Sequence, residues 1–168
     1  MQNAKNQGLT PTSHFADMTV SQLLAALSSP EPTPGGGTAA AIAGAMGTSL
    51  LVMVAGLAKS RNNTDDGQAA LAKAGAAIQP ITATLTKLAD ADAASFDAVM
   101  AAYRLPKASD EEKAARTKAI QSALRGATEV PLETLRTCAA ALVHAQAVVD
   151  YGNRSAESDT GVAIGLLQ

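Results

Sequence analysis

The sequence predicts an all-α protein, a single-domain antiparallel helical bundle built around one long, apolar, Ala/Gly-rich central helix. Three observations predict it. The apolar share is 47%, yet it comes from Ala, Leu and Val, with two Phe, two Tyr and no Trp. Alanine gives up almost no side-chain freedom in a helix, so this composition favours closely approaching helices over large aromatic core residues. No stretch carries a competing strand signal, while apolar positions recur at helical spacing along the chain. Finally, 168 residues leave room for one domain and one sizeable core.

The elements follow in order. Residues 1–17 read as a flexible tail and 18–168 as the helical domain. Thr19-Val20-Ser21-Gln22 is a capping box, in which the Thr oxygen and the Gln side chain satisfy free backbone donors, and it opens a short helix to about Ser28. The loop from Pro30 to Gly37 contains three prolines and three glycines and stops that helix. An apolar helix from Thr38 to about Ser60 follows, ended by the polar turn Ser60-Arg61-Asn62-Asn63-Thr64-Asp65-Asp66-Gly67. Gln68 to Gln79 is helical in composition, and Pro80 either kinks this helix or opens the next, which runs to Leu105. A second capping box, Ser109-Asp110-Glu111-Glu112, starts a helix to about Ala127. Pro131 sits in the first turn of another helix that ends at Gly152. Asn153 to Ser158 is a loop, and Asp159 begins a last helix that the chain leaves unfinished.

Charge and composition narrow the partners. The net charge is −2 with no basic run, which gives no electrostatic footprint for nucleic acid and no anchor for an anionic membrane. Thr38 to Ala58 carries no charge and is long enough to cross a bilayer. Its Ala/Gly content, the lack of a second such segment and the lack of an aromatic belt favour a buried central helix instead. Cys138 is the single cysteine, so no disulfide framework is possible within the chain, and a small buried hydrophobe is expected there. Met1 to Gly8 is polar and shows no secretory signal, so a cytoplasmic location is expected.

The chemistry concentrates on few residues. Projected at 100° per residue, Ile81, Leu85, Leu88, Phe96, Val99 and Tyr103 fall on one arc, and Asp92 falls at its centre. A carboxylate within an apolar stripe is costly unless paired or functional, so Asp92 is the candidate acid/base group, with a structural ion pair or helix cap as the alternative. Asp90 and Asp97 project to the opposite, solvated side. On the next helix Arg116 and Lys113 share the apolar face of Ile120, Leu124 and Ala127. Arg116 either covers the core with its methylenes or presents a cation to the pocket of Asp92. Gly35, Gly36 and Gly37 allow close backbone approach to a ligand beside a helix N-terminus, or form a plain tight turn; no Lys follows, so this is not a nucleotide phosphate loop. His14 and His144 are isolated and have no partner at metal-ligand spacing, and both are expected at the surface.

Taken together, these segments resemble the formiminotetrahydrofolate cyclodeaminase/methenyltetrahydrofolate cyclohydrolase family. Pro32-Thr33-Pro34-Gly35-Gly36-Gly37 before an Ala/Gly-rich helix looks like its opening motif, and Asp92 to Lys107 is similar to its central motif. Asp110 to Arg116 and Val130-Pro131-Leu132 follow in step, and Gly152-Asn153 with Ser158 to Ala163 looks like its closing motif. The resemblance spans roughly Met18 to Ala163 and implies a folate substrate, an all-helical homodimer, no cofactor beyond the tetrahydrofolate substrate, and Asp92 as the catalytic residue. It further implies that Lys107, Arg116, Asn153, Ser158 and Asp159 lie at or near the folate, with the glycine loop, Arg61 and Tyr103 as further substrate-binding candidates. The wording from Asp97 to Arg116, in a chain without a transferase domain, leans toward the cyclohydrolase branch. Cyclodeamination and a non-catalytic folate-binding helical dimer are the alternatives. Two departures stand out: Ser60-Arg61-Asn62-Asn63-Thr64 keeps only the Arg of the family's basic-aromatic loop, and the chain stops at Gln168, where the family usually continues for several turns.

Overall fold

Capping sets where the helices begin. In the computed structural model, which describes residues 14–57 and 64–168, the amide of Gln22 donates to Thr19 Oγ1 at 3.3 Å and that of Thr19 to Gln22 Oε1 at 2.8 Å. This box opens α1, Val20–Leu27, behind a single 3-10 turn at Phe15–Asp17. Gly35 is the N-cap of α2, Gly36–Gly56. Thr64 accepts from the Gly67 amide at 3.1 Å and starts α3, Asp65–Tyr103. The Ser109/Glu112 box starts α4, Asp110–Tyr151. A 3-10 turn at Arg154–Ala156, capped by Asn153, leads into α5, Glu157–Leu167. The architecture is all-α, with no strand among the described residues.

Several boundaries differ from the sequence-based expectation. Pro80 neither ends a helix nor begins one, because α3 runs through it. Proline removes the donor that would reach the Ala76 carbonyl, but Ala76 and Pro80 both face solvent, where water can take that role. The break expected between Ala127 and Pro131 is likewise absent from α4. Pro131 is exposed, and buried Thr134, Thr137 and Cys138 hold the following turns against the core. Helix α2 begins two residues earlier than expected, since Gly36 and Gly37 already form its first turn, and its last described helical residue is Gly56. Helix α5 begins at Glu157 instead of Asp159, because the expected loop folds into the 3-10 turn.

Small residues set the packing. A Cβ on Gly44 would lie 2.8 Å from Cys138 Sγ and 3.3 Å from Leu85, so α2 meets both α3 and α4 there with backbone against side chain. Gly47 sits equally close to the Ala163 carbonyl and Leu167 of α5. Gly37 lies beside Asp92, Gly44 beside Leu85, and Ala55 beside Gly75, so α2 and α3 run antiparallel. Leu51, Val54, Ile78, Leu85, Ala141, Ala145, Val148 and Ala163 form the core between them. Among the described residues α2 is the one helix long and apolar enough to cross a membrane, and here it packs on α3, α4 and α5. Cys138 is buried, as expected, and burial pushes its thiol pKa above the ordinary value.

Candidate functional site

Asp92 sits where α3 passes the start of α2. It is half-buried, flanked on its own helix by buried Ala89 and Ala93. Its carboxylate lies directly against Gly37, where an added Cβ would fall 2.5 Å from Cγ and 2.7 Å from Oδ2. Thr38, fully buried, places Oγ1 3.2 Å from Asp92 Oδ2 and 3.2 Å from the Ala89 carbonyl. A hydroxyl has one proton, so it can donate to one of these acceptors at a time. The first-turn amides of α2 are the ones an α-helix leaves without internal partners, and that end favours negative charge. No cation is within ion-pair distance of Asp92 among the described residues, so a structural salt bridge does not account for its place in the apolar stripe.

The three glycines are not equivalent. Gly37 is required by the carboxylate, whereas a Cβ on Gly36 would meet nothing within 4 Å and one on Gly35 only the Pro32 carbonyl at 3.7 Å. None of them has positive φ, so it is close approach at Gly37, and not a special turn, that calls for glycine.

Asp90 is a correction. The helical projection put it on a merely solvated face, but its Oδ1 accepts the Phe15 amide at 2.8 Å and its Oδ2 bonds His14 Nδ1 at 2.7 Å. The chain entering α1 is therefore fastened to α3 two residues from Asp92. His14 is exposed, as expected, yet it has this partner. Asp97 is solvent-exposed, also as expected.

Arg116 does not share a pocket with Asp92 in this chain. Its Nη2 donates to the Tyr103 carbonyl at 3.1 Å, and its guanidinium lies 5.6 Å from the centre of the Tyr103 ring. It thus caps the C-terminus of α3, eleven residues or about 16 Å along the helix from Asp92. Lys113 pairs with Asp110 at 2.9 Å, and Lys107 is exposed in the turn between α3 and α4. Arg61 lies outside the described residues.

Asn153 lies at the opposite end of α2, while Ser158 is exposed and Asp159 half-buried at the start of α5. The Val148 carbonyl and Val54 abut Gly152, which places this end about 25 Å along α2 from Gly37. A cavity of about 750 Å³ opens there, lined among others by Thr64, Asp150, Asn153, Arg154, Glu157 and Thr160. The Asn153 side chain is occupied, its Oδ1 accepting the Ser155 amide at 3.0 Å. One chain thus brings Asp92, Gly37 and Thr38 together, and leaves the closing-motif residues elsewhere. Sequence reasoning missed Thr38, which could have been found from its place in the first turn of α2, beside the glycines.

Comparison with known proteins decides the kinship: residues 19–168 match the formiminotransferase-cyclodeaminase family. The chain belongs to that family.

Among cyclodeaminase relatives, the chain is similar to a methenyltetrahydrofolate cyclohydrolase of Methylorubrum extorquens, with 44% identity over 146 residues, 87% of this chain and 70% of that protein. It is 32% identical to the formimidoyltransferase-cyclodeaminase of Rattus norvegicus over 158 residues, and spans 29% of that longer protein. Its fold matches the crystal structure of formiminotetrahydrofolate cyclodeaminase from Thermotoga maritima with a TM-score of 0.76 and 26% identity, over 90% of this chain and 72% of that one. The family and fold class expected from the sequence both hold.

Proposed function

We propose that this chain hydrolyses 5,10-methenyltetrahydrofolate to 10-formyltetrahydrofolate, with Asp92 as its acid/base group. The observation that carries the reading is the half-buried Asp92 carboxylate held against Gly37 and Thr38, in a chain 44% identical to a cyclohydrolase. The substrate carbon is an amidinium, electrophilic enough for water to attack. Asp92 takes one proton from that water as the new C–O bond forms, and its charge complements the cationic ring. The C–N5 bond then breaks as Asp92 returns the proton to N5, and the remaining hydroxyl proton leaves to solvent as the formyl carbonyl forms. Thr38 Oγ1 holds the carboxylate in place, and the absence of a side chain at Gly37 lets α2 approach it. No cofactor beyond the folate is invoked.

Lys107 and Arg116, with Arg61, are the cations proposed for the glutamate tail, and Tyr103 offers a ring at the same end of the α3–α4 hairpin. Asn153, Ser158 and Asp159 remain proposed folate contacts from a separate half-site. A cytoplasmic homodimer that engages neither nucleic acid nor membrane is the accompanying proposal, and a net charge of −2 with no basic run fits it. The assay is direct: purified protein should discharge the methenyl chromophore. Ammonia release from formiminotetrahydrofolate, the activity named for the Thermotoga maritima relative, is the second reading. Turnover of that substrate with none of the methenyl compound would replace the first.

A further inference from the structure

The two oxygens of the Asp92 carboxylate have different surroundings. Oδ2 lies 3.2 Å from Thr38 Oγ1, while Oδ1 accepts no hydrogen bond from any described residue and rests against Gly37. Thr38 is fully buried, so its hydroxyl has no water to turn to. The other acceptor within its reach is the Ala89 carbonyl, also at 3.2 Å. That carbonyl lies inside α3 and already takes the amide one turn further on, so it does not depend on Thr38. Valine would fill the same space with no hydroxyl to satisfy, so packing alone gives no reason for threonine here.

We propose that Thr38 is a positioning residue that fixes which oxygen of Asp92 reacts: the proton is taken and returned at Oδ1, and the Thr38 hydroxyl follows the charge on the carboxyl. This rests on Asp92 being the acid/base group, as proposed above, and specifies how that group is held. While Asp92 is ionised its charge makes Oδ2 the stronger acceptor, and Thr38 donates there. Rotation of the carboxylate is thereby restrained, and Oδ1 is left for the attacking water. As Oδ1 takes the proton from that water the carboxyl becomes neutral and Oδ2 weakens as an acceptor. The Thr38 hydroxyl then swings to the Ala89 carbonyl, at the same distance. Oγ1 keeps its own proton throughout; the one transferred passes from water to Oδ1 and from Oδ1 to N5. Once N5 has it, Oδ2 regains its charge and Thr38 turns back. Only the hydroxyl rotates, so the backbone of α2 and α3 stays where it is.

The test uses the full chain acting on 5,10-methenyltetrahydrofolate, with the melting temperature of every variant measured alongside. Thr38→Val keeps the volume and loses the hydroxyl, so kcat should fall by about tenfold or more while KM stays within about twofold. Thr38→Ser loses a methyl and keeps the hydroxyl, and its kcat should stay within about threefold of the parent. Thr38→Ala should fall with Thr38→Val. A packing role predicts the reverse order, with Val active and Ser impaired by the gap it leaves. That order, or equal kcat in the Ser and Ala variants, overturns the proposal. Ser and Ala differ by the hydroxyl alone, so their comparison decides the matter even where Thr38→Val does not fold. Asp92→Asn, assayed beside them, separates this proposal from the reading beneath it. Inactive Asp92→Asn with fully active Thr38→Val removes Thr38 only. A parent chain that leaves the methenyl chromophore intact, or a folded Asp92→Asn protein that still discharges it, removes both.

Discussion

Replacing Gly37 by alanine should damage the protein, while the same change at Gly36 should not. An alanine methyl at 37 enters the space of the Asp92 carboxylate, so Gly37→Ala should lower turnover at least tenfold and cost about 1–3 kcal/mol of stability. Gly36→Ala meets open space in a first helical turn and should leave both nearly unchanged. Side-by-side melting and chromophore assays on the two variants check the pair. Asp92→Asn keeps the shape but cannot shuttle a proton, so turnover should fall roughly 100-fold or more with the fold intact. Near-normal turnover in a folded Asp92→Asn protein would remove Asp92 from the mechanism. Cys138 gives a pH signature. Its thiol pKa is raised by burial, so the unfolded chain loses that proton first as pH climbs past about 9.0. The contribution of Cys138 is thus fully present below that pH and lost above it. Cys138→Ala should flatten the alkaline fall in melting temperature, and an unchanged profile would show that other groups cause it.

At the scale of elements, the sequence marked starts better than continuations. Thr19 and Ser109 announce their helices because a capping side chain acts within three residues, and both boxes form as read. Pro80 and Pro131 were ambiguous or misleading because their cost is set by what surrounds them. An exposed proline whose orphaned carbonyl reaches water bends a helix less than local rules suggest. Pro80→Ala restores the missing donor to a solvent-facing turn and should stabilise the chain by about 1 kcal/mol or more, read as a rise in chemical-denaturation midpoint. Arg116 shows the opposite limit. Its place on an apolar face was visible, but whether it reached toward Asp92 or toward Tyr103 depended on the α3–α4 turn. Arg116→Ala should remove a helix cap and a cation–π contact, loosening the hairpin tip by about 1 kcal/mol while leaving the Asp92 turn folded.

For the whole molecule, composition and periodicity were sufficient for the class, because small apolar residues at helical spacing have few other ways to bury themselves. The separation of Asp92 from Asn153 was not legible, since motif order along a chain says nothing about which end of α2 each motif reaches. Far-ultraviolet circular dichroism should show helix with almost no sheet, and light scattering should report twice the chain mass; a clean monomer would count against the proposed assembly. One further consequence lies in how the chain enters and leaves α1. Asp90 holds it at Phe15, and Asp92 with Ala89 holds it at Gly37 and Thr38, so the intervening stretch begins and ends on the same turn of α3. It is a side loop with a closed base. Its length and wording can drift, or be exchanged for another chain's, without shifting the seating of α2 on α3. The surface that α1 presents and the placement of the carboxylate can therefore change independently of each other.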